Sequence, residues 1–323
     1  MSCFNYFTKI RYKIAMLNIY QQTLSKPINF KGQGLHSGRS CEIKILPAEA
    51  NQGIIFKRTD LDKNNIINAN YKNVSSAKLC TTLENKFGVK VSTVEHLLAA
   101  FYISGIDNVM VEIDNEEVPI MDGSAVDFIN EIRKQNLKEL SKKRKYLRVL
   151  KKVDLEDGDK KISIEKGNSS LEVEFNLNYK NKIINKQKNK IDFQNDDLED
   201  VINSRTFCLY EDIEKIKKLG LAKGGSLENA LVVDKDKILN KDGLRNENEF
   251  VNHKILDLAG DFLLSGFRIL GNVKCHHGGH ELTNKFLRKL LNIKTAFEHV
   301  EVKDVVISEK IKSIQSTKIA VNA

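Results

Sequence analysis

Apolar residues recur at two periods along this chain, and the change from one period to the other marks out its elements. Cys41, Ile43 and Ile45 alternate with Glu42 and Lys44, the pattern of a half-buried strand, which Pro47 ends. Val109 to Ile113 reads as another strand, and Val118 to Met121 as a strand end before a turn at Asp122-Gly123. Ser124 is placed to N-cap a helix running to about Lys134, with Asp127 three residues on as its capping partner. Strands follow at Lys161 to Glu165, Leu171 to Leu177 and Ala230 to Val233, and the polar tract Lys180 to Lys190 reads as a surface loop. Helical spacing governs the run after Glu95, the segment around His253 to Leu263, Glu211 to Leu219 before Gly220, and Leu282 to Leu291. Strands and helices mix without the regular beat of a doubly wound sheet, which points to an α+β fold.

A length of 323 residues suits two cores. The basic stretch Ser141 to Lys152, with Lys142-Lys143-Arg144-Lys145 inside it, is expected to link a first α+β domain (residues 16–140) to a second (residues 153–323). Residues 1–15 read as a disordered extension, with Met16 as an alternative start. His96 to Gly105 aligns without gaps with Asp257 to Gly266, sharing Leu, Phe, Ser and Gly, as a duplicated unit would. The longest uncharged, mostly apolar stretch, Leu97 to Ile106, is far short of the roughly 20 residues a membrane span needs. Five scattered cysteines without a Cys-x-x-Cys pair argue for a reducing cytoplasm and against a thiolate metal site. The net charge of +9 is spread among interspersed acids, so it favours an anionic small substrate over nucleic acid.

Two distant stretches carry the chemistry. Ser92-Thr93-Val94-Glu95-His96 sets a carboxylate beside a histidine at a helix start, and His253-x-x-x-Asp257 puts two donors on one helix face. Two imidazoles and a carboxylate are a zinc donor set that leaves a fourth position open for water. Each stretch also has a plain reading: a Ser92/Glu95 capping box, and an i,i+4 surface ion pair. His280 follows Gly278-Gly279 at a helix start, which suits a general acid or oxyanion donor as well as a surface turn. His276 and His277 read as its exposed neighbours. His36, in the glycine-rich turn Gly32-Gln33-Gly34-Leu35-His36-Ser37-Gly38, is a candidate phosphate cradle, although neither usual phosphate-loop spacing is met.

From about Leu24 to the C-terminal region the chain resembles the UDP-3-O-acyl-N-acetylglucosamine deacetylases. The resemblance rests on Gly34-Leu35-His36-Ser37-Gly38, Ser92 to Leu97, Pro119-Ile120-Met121-Asp122-Gly123-Ser124-Ala125, Arg205-Thr206-Phe207, His253-Lys254-x-x-Asp257 and Gly279-His280-x-Leu282-x-Asn284-Lys285, in that order. It implies two related α+β domains with paired helices sandwiched between two sheets. It further implies one catalytic Zn2+, or Fe2+, on His96, His253 and Asp257, with Glu95 as general base and His280 as acid. Asp261 would orient His280, Thr206 would steady the tetrahedral intermediate, and Lys254, Phe207 and Gly225 would contact substrate. A segment near 206–232 would form the acyl-chain passage. The implied protein is a cytoplasmic monomer that hydrolyses the N-acetyl group of a UDP-linked, acylated amino sugar, without nucleic-acid or membrane-spanning partners. Gly278 and Glu281 depart from the family pattern, where Ser and a small apolar residue are usual. The rival readings are a metalloamidase for another N-acylated amino sugar and a silent UDP-sugar-binding protein.

Overall fold

The computed structural model describes residues 19–167 and 170–301; residues 1–15 and the end of the chain after 301 lie outside them. The alternating segment near Cys41 is the strand Ser40–Pro47, with Cys41, Ile43 and Ile45 buried. It sits in a mixed five-stranded sheet in the order Ile28–Gln33, Ser40–Pro47, Val109–Ile113, Ile54–Arg58, Ile66–Asn68. One face of this sheet is covered by helices. Helix α1 (Glu95–Ser104) is apolar nearly all round and buried from Glu95 to Tyr102, so it lies inside the molecule rather than on its surface. Helix α2 (Val126–Arg133) sets Phe128 edge-on against Phe30 of the sheet, with ring centroids 5.0 Å apart.

A second, seven-stranded sheet centres on Arg268–His276, which pairs with Lys160–Glu165, Lys145–Val149 and Leu171–Asn178. The basic stretch from Ser141 is built into strands: Leu137–Lys143 pairs with Tyr20–Leu24, and Lys145–Val149 lies between Arg268–His276 and Phe297–Glu301. The tract Lys180 to Lys190 is not all loop. Its second half enters the strand Lys186–Asp192, whose alternate positions face solvent and therefore tolerate lysine. Short helices α3 (Glu199–Ile202) and α4 (Tyr210–Lys218) precede the long helix α5 (Glu249–Leu263), and α6 (His280–Asn292) follows the central strand.

The two sheet-and-helix units meet through α1 and α5. Gly260 permits the approach: a Cβ there would run into the carbonyl oxygen of Glu95 and come within 3.0 Å of the Ala99 nitrogen. The aligned segments found in the sequence are thus the facing helices, and each ends in a left-handed glycine, Gly105 (φ 83°) and Gly266 (φ 80°). Arg268 of the second unit donates to the carbonyls of Phe101, Tyr102 and Ile106, and Arg144 to that of Gly105, so two guanidiniums close the C-terminal end of α1.

The two expected capping boxes do not form as such. Helix α2 begins at Val126, whose N–H donates to Ser124 Oγ at 3.2 Å, so Ser124 does serve the helix start. The reciprocal half is missing: the Ser124 N–H and hydroxyl both donate to Asp122 Oδ1 rather than to Asp127. Helix α1 begins at Glu95 itself, so Ser92 is two residues too early to cap it.

A candidate metal centre between the facing helices

With no capping box to serve, the Glu95 carboxylate turns inward. It is 3% exposed, and its Oε2 accepts a hydrogen bond from the Thr81 backbone at 3.0 Å. The next residue, His96, points its Nε2 at Nε2 of His253, 3.2 Å away. Asp257, one turn beyond His253 on α5, places Oδ1 at 3.4 Å from each of those nitrogens. No protein donor reaches that buried oxygen. With the Nε2 lone pairs of both imidazoles turned inward, the two nitrogens and the carboxylate oxygen would repel unless a cation lay among them. A tetrahedral ion with bonds of about 2.0–2.1 Å requires donor separations of about 3.3–3.4 Å, so the triangle fits zinc. Among the described residues this trio is the cluster of His, Cys and carboxylates able to hold an ion.

Electrostatics favour the same charge states at His253 and Asp257; at His96 burial acts to lower the value, but Asp257 and Glu95 outweigh it and raise it. Burial pushes His253 well below the usual imidazole value, leaving a neutral donor. Burial acts to raise Asp257, but the cationic Lys254 and His280 beside it counter that, and the carboxyl lies well below its usual range. Glu95 is raised, chiefly by burial, against the pull of His280 and His96. His280 lies opposite: Nδ1 is 2.9 Å from Asp261 Oδ2, and Nε2 is 3.7 Å from both Glu95 Oε1 and Asp257 Oδ2. Burial acts to lower its value, yet Asp261, Asp257 and Glu95 lift it to about 10. The departures beside it leave this pose intact. Gly278 is packed where a Cβ would run into Cys275 Sγ, and Glu281 is exposed, pairing with Lys285.

These side chains open into one cavity of about 340 Å3, lined also by Thr206, Phe207 and Lys254. Lys254 Nζ bonds Asp257 Oδ2 at 3.0 Å and lies 5.5 Å from the Phe207 ring centre. Phe207 in turn stands edge-on to His253, at 5.7 Å. Asp261 sits behind His280 rather than in the cavity, and Gly225 is exposed on a neighbouring loop, near Leu35 and outside the lining. A more voluminous cavity, about 790 Å3, lies at the far end of α1 around Arg144 and Arg268. Those arginines are already engaged with helix carbonyls and Asp107, so the smaller cavity is the candidate site.

The turn at His36 corrects one expectation. Its backbone donors are occupied: the N–H groups of His36 and Ser37 bind the buried Glu117 carboxylate at 2.8 and 2.7 Å, so they do not cradle a phosphate. Gly34 is required there, because a Cβ would run into the same carboxylate. Glu117 also takes the hydroxyl of Thr93, at 2.9 Å, a β-branched residue held at φ 56° just ahead of Glu95. His36 itself lines the cavity with its Nε2 unpaired, and Tyr179 joins the wall beside Phe207. Thr81, Glu117 and Tyr179 carry no spacing signal in the sequence; only the folded chain brings them in.

Comparison with known proteins gives the family of the chain. The family model described as LpxC, UDP-3-O-acyl N-acetylglycosamine deacetylase, matches residues 21–292. The UDP-3-O-acyl-N-acetylglucosamine deacetylase of Geotalea uraniireducens is 43% identical over 284 residues, covering 88% of this chain and 92% of the relative. That of Aliivibrio fischeri is 41% identical over 289 residues, covering 88% and 94%. That of Geobacter sp. (strain M21) is 42% identical over 284 residues, covering 88% and 92%. With the family model matching residues 21–292, which include His96, His253 and Asp257, this chain belongs to the UDP-3-O-acyl N-acetylglycosamine deacetylase family.

Proposed function

We propose that this chain hydrolyses the N-acetyl group of UDP-3-O-acyl-N-acetylglucosamine to the free amine and acetate, the committed step of lipid A synthesis, as a cytoplasmic monomer. The observation that carries the reading is the triangle of His96, His253 and Asp257 with Glu95 and His280 on its two sides. When bound there, Zn2+ supplies Lewis acidity and lowers the pKa of a water to about 7. Fe2+ is the alternative occupant.

The remaining chemistry falls to the chain's own groups. Glu95, raised by burial toward neutrality, takes a proton from the attacking water at Oε1, the oxygen that Thr81 leaves unengaged. His280 enters protonated, steadies negative charge growing on the amide oxygen, and hands its Nε2 proton to the departing nitrogen. Amines leave poorly as anions, so the amide bond needs that second acid. Thr206, on the cavity wall, offers a hydroxyl to the tetrahedral species, and Lys254 and Phe207 meet the substrate. The acyl chain runs along the 206–232 segment, where Tyr210, Leu219 and Leu227 remain about half exposed and α4 buries no residue.

Acetate release from the UDP substrate, followed through chelation and reconstitution with Zn2+ or Fe2+, tests the reading. Activity should vanish with chelator and return with metal. Glu95→Ala and His280→Ala should each lower kcat by about 10²–10⁴-fold with metal still bound. Full turnover by metal-free protein would overturn the metal mechanism, and near-normal turnover by either variant would overturn that residue's role.

A further inference from the structure

Thr81 is 2% exposed, and each of its polar groups is engaged in the site. Its N–H donates to Glu95 Oε2 at 3.0 Å, its carbonyl accepts from Val94 N at 3.4 Å, and its hydroxyl donates to Asp261 Oδ1 at 2.7 Å. The second oxygen of Asp261 faces His280 Nδ1, and His280 Nε2 faces Glu95 Oε1. Three hydrogen bonds and one 3.7 Å approach, His280 Nε2 to Glu95 Oε1, therefore link the four residues in a circuit. Thr81 and Glu95 come from one unit and Asp261 and His280 from the other, with 180 positions separating Thr81 from Asp261.

We infer that Thr81 is a positioning residue for the hydrolysis, fixing through one backbone and one hydroxyl donor which atom of the base and which atom of the acid face the substrate. The inference rests on the reading of Glu95 and His280 given above. By engaging Oε2, the Thr81 N–H leaves Oε1 as the oxygen of Glu95 that exchanges protons. By engaging Oδ1, its hydroxyl fixes the Asp261 carboxylate so that Oδ2 accepts from Nδ1, which leaves Nε2 to carry the transferable proton. A side chain of the same shape without a donor leaves a buried carboxylate oxygen unsatisfied and free to turn. Thr81 does not itself line the cavity or bond the three proposed metal ligands, so it acts through Asp261 and Glu95.

The test compares Thr81→Val, Thr81→Ser, Asp261→Asn and the Thr81→Val/Asp261→Asn double variant for kcat, KM, bound metal and melting temperature. Loss of an outer partner of this kind costs about 10–100-fold, so Thr81→Val should lose that much kcat with KM within about twofold and metal content unchanged, while serine restores it. In the Asp261→Asn background the valine change should cost less than about twofold more, because the hydroxyl acts through that carboxylate. A Thr81→Val enzyme at wild-type kcat, or an equal loss in both backgrounds, overturns the inference. If the valine variant does not fold, serine against cysteine at 81 reads the same donor. Glu95→Ala and His280→Ala run alongside: if they stay active the underlying reading fails, and if they are dead while Thr81→Val is normal only this inference fails.

Discussion

At the scale of single residues, the site is built by carboxylates with different tasks set by what surrounds each. Asp257 is kept ionised by its cationic neighbours, Glu95 is pushed the other way by burial, and Glu117 is spent on structure. Glu117 accepts three donors and is 1% exposed, so replacing it leaves one of them against an amide NH2 group. Glu117→Gln should therefore lower stability by about 1–3 kcal/mol in urea denaturation. It should also release the turn that carries His36; an unchanged midpoint would mean that the turn and Thr93 are held by other contacts.

At the scale of elements, the decisive contact is α1 against α5. Gly260 has an ordinary backbone conformation, so its importance lies in closeness alone. Gly260→Ala should cost about 1–3 kcal/mol from overpacking and weaken metal retention, because separating the helices moves His96 away from His253. Equal zinc occupancy in the alanine variant after dialysis against a mild chelator would contradict this. Much of this level was legible in the sequence. Alternation fixed the strand at Cys41, and helical spacing placed His253 and Asp257 on one face, because both patterns are local. The capping boxes are incomplete because their reciprocal halves are decided elsewhere: Thr81 takes the Glu95 carboxylate, and Asp122 rather than Asp127 takes the Ser124 N–H. The strand Lys186–Asp192 was hidden for a related reason: one of its faces is solvent, so its lysines resemble a loop. Thr81 could not be found at all, since its partner Asp261 lies in the other unit.

At the scale of the whole molecule, ion pairs crossing between the units hold the two halves in register. Arg245 Nη1 reaches Asp122 Oδ2 at 2.7 Å, and Arg268 Nε lies 3.5 Å from Asp107 Oδ1, while Arg205 and Glu249 pair within the second unit beside the Thr206 segment. Burial acts to raise Asp122, but Ser124 and Arg245 outweigh it, and the folded-state value lies below the ordinary carboxylate value. A carboxyl with a depressed folded value stabilises above its unfolded pKa, about 3.9, and that contribution is lost as pH falls through the folded value. Asp122→Asn should thus be less stable than the parent at neutral pH, by about 1–2 kcal/mol. The gap should close below about pH 4, as seen by thermal melts across pH; a gap independent of pH would assign the effect to packing. The division of the metal donors between facing helices also has a consequence in time. His96 and His253 are 157 positions apart, so at synthesis rates of about 5–20 residues per second the first ligand waits about 8–30 s for the second. The nascent first half would carry the proposed base and one imidazole through that interval without a site, so metal capture at the proposed centre would report that both halves have been made and have docked.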